Sequence, residues 1–403
     1  MKTLFNKQGS FSIFAVMLFI AIIISIGAII KASGDVAVGG SVNSFGNLWA
    51  KSILGEYDIY LNNRYGILGF YGEKSSIENK LLKYINYSFK DKSYIDYDSP
   101  SCSLEEYSLG NTENFREQVE LIVLKNSFHM DQNNEDFEEN VIYRDIENVP
   151  NRTITAGWII ESLPSYGKTE NTYVMELAQQ IKNGISVEKL TENLAVDSYI
   201  IRYFKDYTRN SGIGETYFEC EVEYILTGEL DENLSKIKSK NNLVLLRNIL
   251  NLYYLYTCPE KRESAMSLAS TLTPGPQAVL TQAIILEAWA YMEAENDLKI
   301  LYDNKTVPLL KKDCNWALSL EGMYDSEYVV PDKLEGLNYS NYLRILLCGM
   351  TENTKLLRIM DLIQINMKYI YCDYFLIKDY YSGLTFDLCV NGKVYEFEDS
   401  YIL

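Results

Sequence analysis

Few residues in this chain have the types and spacing that chemistry needs. The run Ser162-Leu-Pro-Ser-Tyr-Gly-Lys-Thr169 ends in the Gly-Lys-Thr of a phosphate-binding loop. Such a loop opens on glycine so that backbone N–H groups can wrap the phosphates, whereas here Ser162 stands first and Pro164 removes a further donor. Nucleotide binding is therefore not expected. Two S-x-x-K spacings, Ser165 to Lys168 and Ser235 to Lys238, lack the S-D-N and K-T-G elements that accompany a serine nucleophile of that class.

A single histidine, His129, rules out an H-E-x-x-H zinc site and leaves no His-based triad, so a surface position is expected for it. Glu219, Glu221 and Glu223 could supply a glycosidase-like acid and base. They alternate with Phe218, Cys220, Val222 and Tyr224, however, which predicts a strand over 217–226 with one core face and one solvated acidic face. No catalytic residue, cofactor site or metal ligand is assigned, and the chain is not read as an enzyme. Seven cysteines without a C-x-x-C pair are expected to be mainly free thiols, with one or two bridges as the alternative.

At 403 residues, 47% hydrophobic and 23% charged, the chain has the means for a packed core of two to three domains and is unlike a disordered one. Its 37 basic and 55 acidic side chains give a net charge of −18, which argues against nucleic acid as a partner. That charge is unevenly placed. Residues 1–31 carry Lys2, Lys7 and Lys31 and no acid, so −18 resolves into +3 on this stretch and −21 on the rest.

Between those lysines, Ser10 to Ile30 holds no charged residue, and a helix of that length covers roughly the 30 Å of bilayer hydrocarbon. Residues 1–9 then form a leader, 10–31 a transmembrane helix. Lys2 and Lys7 keep the leader in the cytoplasm by the positive-inside rule, which places the acidic body outside the membrane. The apolar run is longer than that of a cleaved signal, and the nearest cleavage-like site, Ala37-Val38-Gly39, lies well beyond it, so the span is expected to stay as an anchor.

Beyond the span, Val38, Val42, Phe45, Trp49, Ile53 and Tyr57 keep a helical spacing, predicting a stalk helix that ends in the glycine-rich turn before residue 72, with Gly39-Gly40 as a bend. Residues 73–150 read as a small α+β region with helices over 75–89 and 111–128, the second capped by Thr112, and a short strand near Cys102 to Leu109. Residues 130–139 read as a polar loop. Residues 151–403 read as the main ectodomain, with helices over 243–256, 262–272, 278–301, 339–349 and 354–371. Asn391-Gly392 between two alternating runs predicts a C-terminal hairpin. The fold class is α+β, mostly helical with short antiparallel strands. Trp158, Trp289 and Trp316 are assigned to the core. The 33 tyrosines accompany abundant Asn, Ile and Lys, as an AT-rich coding sequence would produce, and need no adhesive role.

Gly9-Ser-Phe-Ser-Ile-Phe14 before a long apolar helix resembles the start of TadE/TadG-like proteins of bacterial tight-adherence (Flp) pilus systems. The stretches Ser52 to Asp58, Tyr65 to Phe70, Glu223 to Leu226, Arg247 to Asn251, Glu287 to Glu293, Val307 to Lys311, Tyr339 to Leu343 and Arg358 to Gln364 are similar to an uncharacterised family of bacterial membrane-anchored ectodomains associated with such pilus clusters. The resemblance implies a pseudopilin-like or accessory subunit of a pilus or secretion apparatus, with leader processing between Gly9 and Ser10. It departs from type IV pilins at Phe14, where those carry a glutamate, which puts polymerisation as a major pilin in doubt. Phe14, Trp49 and Tyr57 are the expected partner contacts, alongside membrane lipid. An anchored exported hydrolase or wall-modifying enzyme is the first alternative, and an adhesin or sensor ectodomain the second.

Overall fold

The computed structural model describes residues 7–402 except 91, 131–141, 144–150, 169–172, 184–194, 211–214, 322–328 and 332–334. The expected polar loop at 130–139 falls almost wholly outside the described residues, as does Thr169.

Helix α1 (Lys7–Leu54) runs unbroken for 48 residues. Its first part is bare: the stretch from Ile13 to Ala37 is exposed, with a mean hydropathy of 3.1 in its most apolar window, long and apolar enough to cross a membrane. From Val38 the same helix becomes part of the head. Val38, Val42, Trp49 and Ile53, four of the predicted stripe, are buried. The helix continues straight through Gly39-Gly40, and the second half of the predicted stalk is built into the fold.

What covers that stripe comes from both ends of the chain. After α2 (Ile59–Tyr65) and the two-residue strand β1 (Phe70–Tyr71), helix α3 (Lys74–Phe89) buries Ile77, Leu81, Ile85 and Phe89, an i, i+4 series that meets α1. Asp58 caps α2 by accepting from the Leu61 N–H at 2.9 Å, and Gly66 ends it in the left-handed conformation at φ 71°. Strand β2 (Ser101–Ser103) is shorter than the pattern at 102–109 suggests, because a 3₁₀ turn takes over at Glu105–Tyr107.

Helix α4 (Thr112–Met130) is capped by Asn111, whose Oδ1 accepts from the Glu113 N–H; Thr112 is the first helical residue and does not cap. After it come β3 (Ile142–Tyr143), α5 (Gly157–Ser162), α6 (Val174–Lys182), α7 (Ala195–Tyr203), β4 (Arg209–Asn210) and α8 (Glu221–Thr227). The strand predicted over 217–226 is thus a short helix, closed by Gly228 at φ 73°, and every residue from Glu221 to Leu226 is buried. An alternation of acid and apolar side chains implies one wet face only when water reaches it. Here both sides of the segment lie inside.

Helix α9 (Glu232–Thr257) starts eleven residues before the predicted 243, fixed by Asp231 accepting from the Leu234 N–H. It passes into α10 (Pro259–Leu272) with Pro259 in the first turn, where its missing N–H costs nothing. Helix α11 (Ala278–Tyr302) packs back along both. Then follow α12 (Tyr339–Leu347) and α13 (Glu352–Asn366), which continues as a π turn over Met367–Tyr371. From Thr354 to Asn366 every residue of α13 is buried, making it the axis of the largest apolar cluster.

The chain closes with β5 (Tyr380–Tyr381), β6 (Gly383–Val390) and β7 (Lys393–Ser400). Asn391 (φ 50°) and Gly392 (φ 77°) form the predicted hairpin turn, both at positive φ. The antiparallel sheet has the order β2-β6-β7, with Cys102 opposite Phe386 and Phe386 opposite Phe397, and a second antiparallel pair joins β1 to β5. The α+β class holds. A second cluster gathers α1, α3 and this sheet, and a third lies among α9, α10 and α11 with Trp289 and Trp316 at its centre. Trp158, assigned to the core, is instead 65% exposed, with the Lys368 ammonium 4.7 Å above its ring.

Candidate functional site

The carboxylates expected in water are the most enclosed groups in the head. Glu221 and Glu223 on α8 are fully buried. Glu221 accepts from the Lys205 N–H at 2.9 Å and from the Asn366 amide at 2.7 Å; Glu223 accepts from the Tyr207 N–H and the Tyr339 hydroxyl, each at 2.9 Å. The acidic side of α8 thereby satisfies backbone donors of Lys205 and Tyr207 in the segment after α7.

Burial, reinforced by nearby Asp206, pushes the Glu223 carboxyl up to about 8. Asp206 is itself buried and accepts from Thr208 and Ser340. Around the same core, Glu232 accepts three backbone N–H bonds from Arg152, Glu219 and Cys220. Asp361 accepts from the Ser165 N–H and the Tyr224 hydroxyl, and burial raises it to about 6. That Ser165 belongs to the phosphate-loop-like run, which here donates to a carboxylate of its own chain.

A second buried cluster joins α9 to α11. Arg247 donates from Nε and Nη2 to Asp297 Oδ2 at 3.0 and 2.9 Å, from Nη2 to Asn251, and from Nη1 to the Tyr342 hydroxyl and the carbonyls of Pro308 and Leu309. Lys311 reaches Glu293 Oε1 and Asp297 Oδ1, both at 2.7 Å. Glu293 further accepts from the N–H groups of Ala317 and Leu318. Two cations and two carboxylates thus balance in the interior and tie the 307–318 segment to the helices. Nothing in the cluster's charge is left over for a ligand.

The remaining candidates lie on the surface. Ala283, Ile284, Glu287, Ala288 and Tyr291 line a shallow, mainly apolar groove of about 560 Å³ on α11. Of the predicted contact residues, Phe14 is 62% exposed on the bare part of α1 and Tyr57 is exposed after its end. Trp49 is turned inward: its ring packs edge-on against Phe89 and its Nε1 donates to Ser88 Oγ at 3.0 Å. Gly9 and Ser10 lie in the opening turns of α1, and the side chain of Ser10, like that of His129 in α4, falls outside the described residues. All seven cysteines are free. Among the described residues no group of three or more His, Cys, Asp or Glu is placed to hold a metal ion.

A family model of unknown function, DUF5702, matches residues 129–392, from the end of α4 to the hairpin turn. The chain belongs to the DUF5702 family. The match takes in both buried clusters and the α11 groove, so this DUF5702 head carries its enclosed carboxylates within the family's own extent. No curated protein and no solved structure matches the chain.

Sequence spacing missed the enclosed acids because nothing local marks them. The partners of Glu221 and Glu223 sit 16 to 145 residues away in the chain. The one available hint was compositional: acids alternating with Phe, Cys, Val and Tyr, then Ile225-Leu226-Thr227 and a glycine.

Proposed function

We propose that this protein is a membrane-anchored, extracytoplasmic head that acts through protein contacts rather than catalysis, as an accessory subunit of a tight-adherence-type pilus or secretion apparatus. The observation that carries this reading is α1: one continuous helix whose bare apolar half passes without a joint into a half locked inside the head. Force or position at the membrane is transmitted to the head through such an element, which suits a structural subunit. The carboxylates favour the same reading. An anchored hydrolase would need an acid and a base converging on an open pocket, whereas Glu221, Glu223, Asp206 and Asp361 are buried and bonded within the fold. The −21 body and the lysines of the leader support export of the head.

Crosslinking in the native membrane followed by co-purification tests the role. Recovery of pilus assembly proteins at stoichiometric levels is the expected result. A hydrolytic activity that co-purifies with the chain, without assembly proteins, would replace it by the hydrolase reading. Protease digestion of intact spheroplasts tests the topology: loss of the head with retention of a short N-terminal fragment is expected.

A further inference from the structure

The way α1 is packed fixes which end of the head faces the bilayer. Strand β7 runs alongside α1 in the same direction: the Tyr395 hydroxyl lies 3.3 Å from the Cβ position of Gly39, Phe397 covers Gly46, and the Tyr401 hydroxyl donates to the Leu54 carbonyl. Helix α3 runs the opposite way, with Tyr84 bonded to Glu56, Ser88 to Trp49, and the Lys92 ammonium over the Phe45 ring. The start of β7 and the end of α3 therefore both point toward the membrane segment. From Tyr395 back to the hairpin turn is three to four residues, about 10–13 Å of strand, equivalent to about seven to nine helical residues of α1. That sets the turn about level with residues 30–32, where the apolar run ends.

The surface at that level exposes aromatic, aliphatic and basic side chains together. Tyr94 is 67% exposed and Val394 65%, with Lys393 exposed beside them. The loop carrying Tyr94 is clamped to the hairpin turn: Asn391 Oδ1 accepts from the Asp96 N–H at 2.9 Å, the Asn391 N–H donates to the Asp96 carbonyl, and its side-chain amide donates to the Tyr94 carbonyl. We propose that this hairpin tip and clamped loop form a seat on the lipid surface, with Tyr94 and Val394 in the interfacial layer and Lys393 on the phosphates. Tyrosine suits that layer because its ring is apolar and its hydroxyl wet, and lysine because its stem can lie in apolar surroundings while its ammonium reaches the headgroups. Asp96 and Asp98, also exposed there, more than offset Lys393, so the seat recognises the bilayer interface itself and not anionic lipid. The head is then held against the membrane and does not stand off on a free stalk.

This inference rests on the anchor reading, and its test separates the two. The full chain is reconstituted in phosphatidylcholine vesicles with and without lipid brominated near the top of the acyl chain, and washed at alkaline pH. Tyr94→Trp and Val394→Trp should each add fluorescence that brominated lipid quenches, even at high salt, while a tryptophan at the distant α11 groove, Ile284→Trp, should add none that is quenched. In the unmodified chain, a lipid bearing a diazirine near its glycerol should label peptides covering 93–97 and 391–396. Retention in the vesicles with neither quenching nor labelling would overturn the seat and leave the anchor standing. Release by the alkaline wash would overturn both.

Discussion

Phe397 crosses α1 at Gly46 so closely that a Cβ there would stand 2.1 Å from the ring's Cε1. Glycine inside a helix costs about 1 kcal/mol relative to alanine, and at this position the approach it permits joins the N-terminal helix to the C-terminal hairpin. Gly46→Ala should therefore destabilise the head in spite of alanine's helix propensity, by about 1–3 kcal/mol. Denaturant unfolding of the detergent-solubilised chain measures it. In a Phe397→Ala background the same change should cost nothing, since the ring that blocks the Cβ is gone. An equal loss in both backgrounds would dismiss the packing explanation.

Arg247 is the hub of the interior cluster on α9 and α11, fully buried with its donors spent on Asp297, Asn251, Tyr342 and two carbonyls. Arg247→Met would fill similar space but leave Asp297 and Glu293 sharing Lys311 alone. We expect a loss of about 3–5 kcal/mol, the range for an uncompensated buried charge. Adding Asp297→Leu should return part of it, which a double-mutant cycle on the unfolding midpoint would register. A loss under about 1 kcal/mol for the single change would mean that water reaches the cluster.

The parts of this fold that sequence spacing made legible are those whose partners are near or whose turn chemistry is specific. Asn391-Gly392 has few structural uses other than a hairpin turn, and the stripe from Val38 to Ile53 reports a buried helical face whatever covers it. What covers it was not legible: β7 lies more than three hundred residues further on, and no local pattern encodes that pairing. Helix α8 was misread for a related reason. Alternation reports two faces, and only the surrounding fold decides that neither is wet. The first turns of α9, Glu-Asn-Leu-Ser-Lys, are polar enough to resemble a loop, yet Glu232 is drawn inside by three backbone donors.

The tryptophans turn that lesson into a measurement. Trp289 and Trp316 meet edge to face at 5.6 Å, both donate from Nε1 to the Leu318 carbonyl, and both are buried. Trp158 is exposed, with Lys368 over its ring. Trp289→Ala should cost about 3–5 kcal/mol through cavity formation, whereas Trp158→Ala should cost no more than about 1 kcal/mol, the value of an exposed cation–π contact. Unfolding midpoints of the two variants decide it, and comparable losses would mean that Trp158 is covered in the native assembly.

Glu223 makes stability depend on pH with a definite sign. Its carboxyl is raised from 4.5 to about 8 by burial and by Asp206, so between those values the folded state holds a proton that the unfolded chain has released. The contribution is fully present below about pH 4.5 and is lost as pH rises toward 8, at up to about 1.4 kcal/mol per unit. Asp361, raised to about 6, slopes the same way at lower pH, so the interval from about 6.5 to 8 reports mainly Glu223. Glu223→Gln keeps an oxygen to accept from the Tyr207 N–H and the Tyr339 hydroxyl but cannot ionise. Its stability should be nearly flat across that interval where the parent's falls, so that the variant gains on the parent as pH increases. Urea unfolding at pH 6.5, 7.25 and 8 reads the two slopes directly; parallel slopes would place the proton on another group.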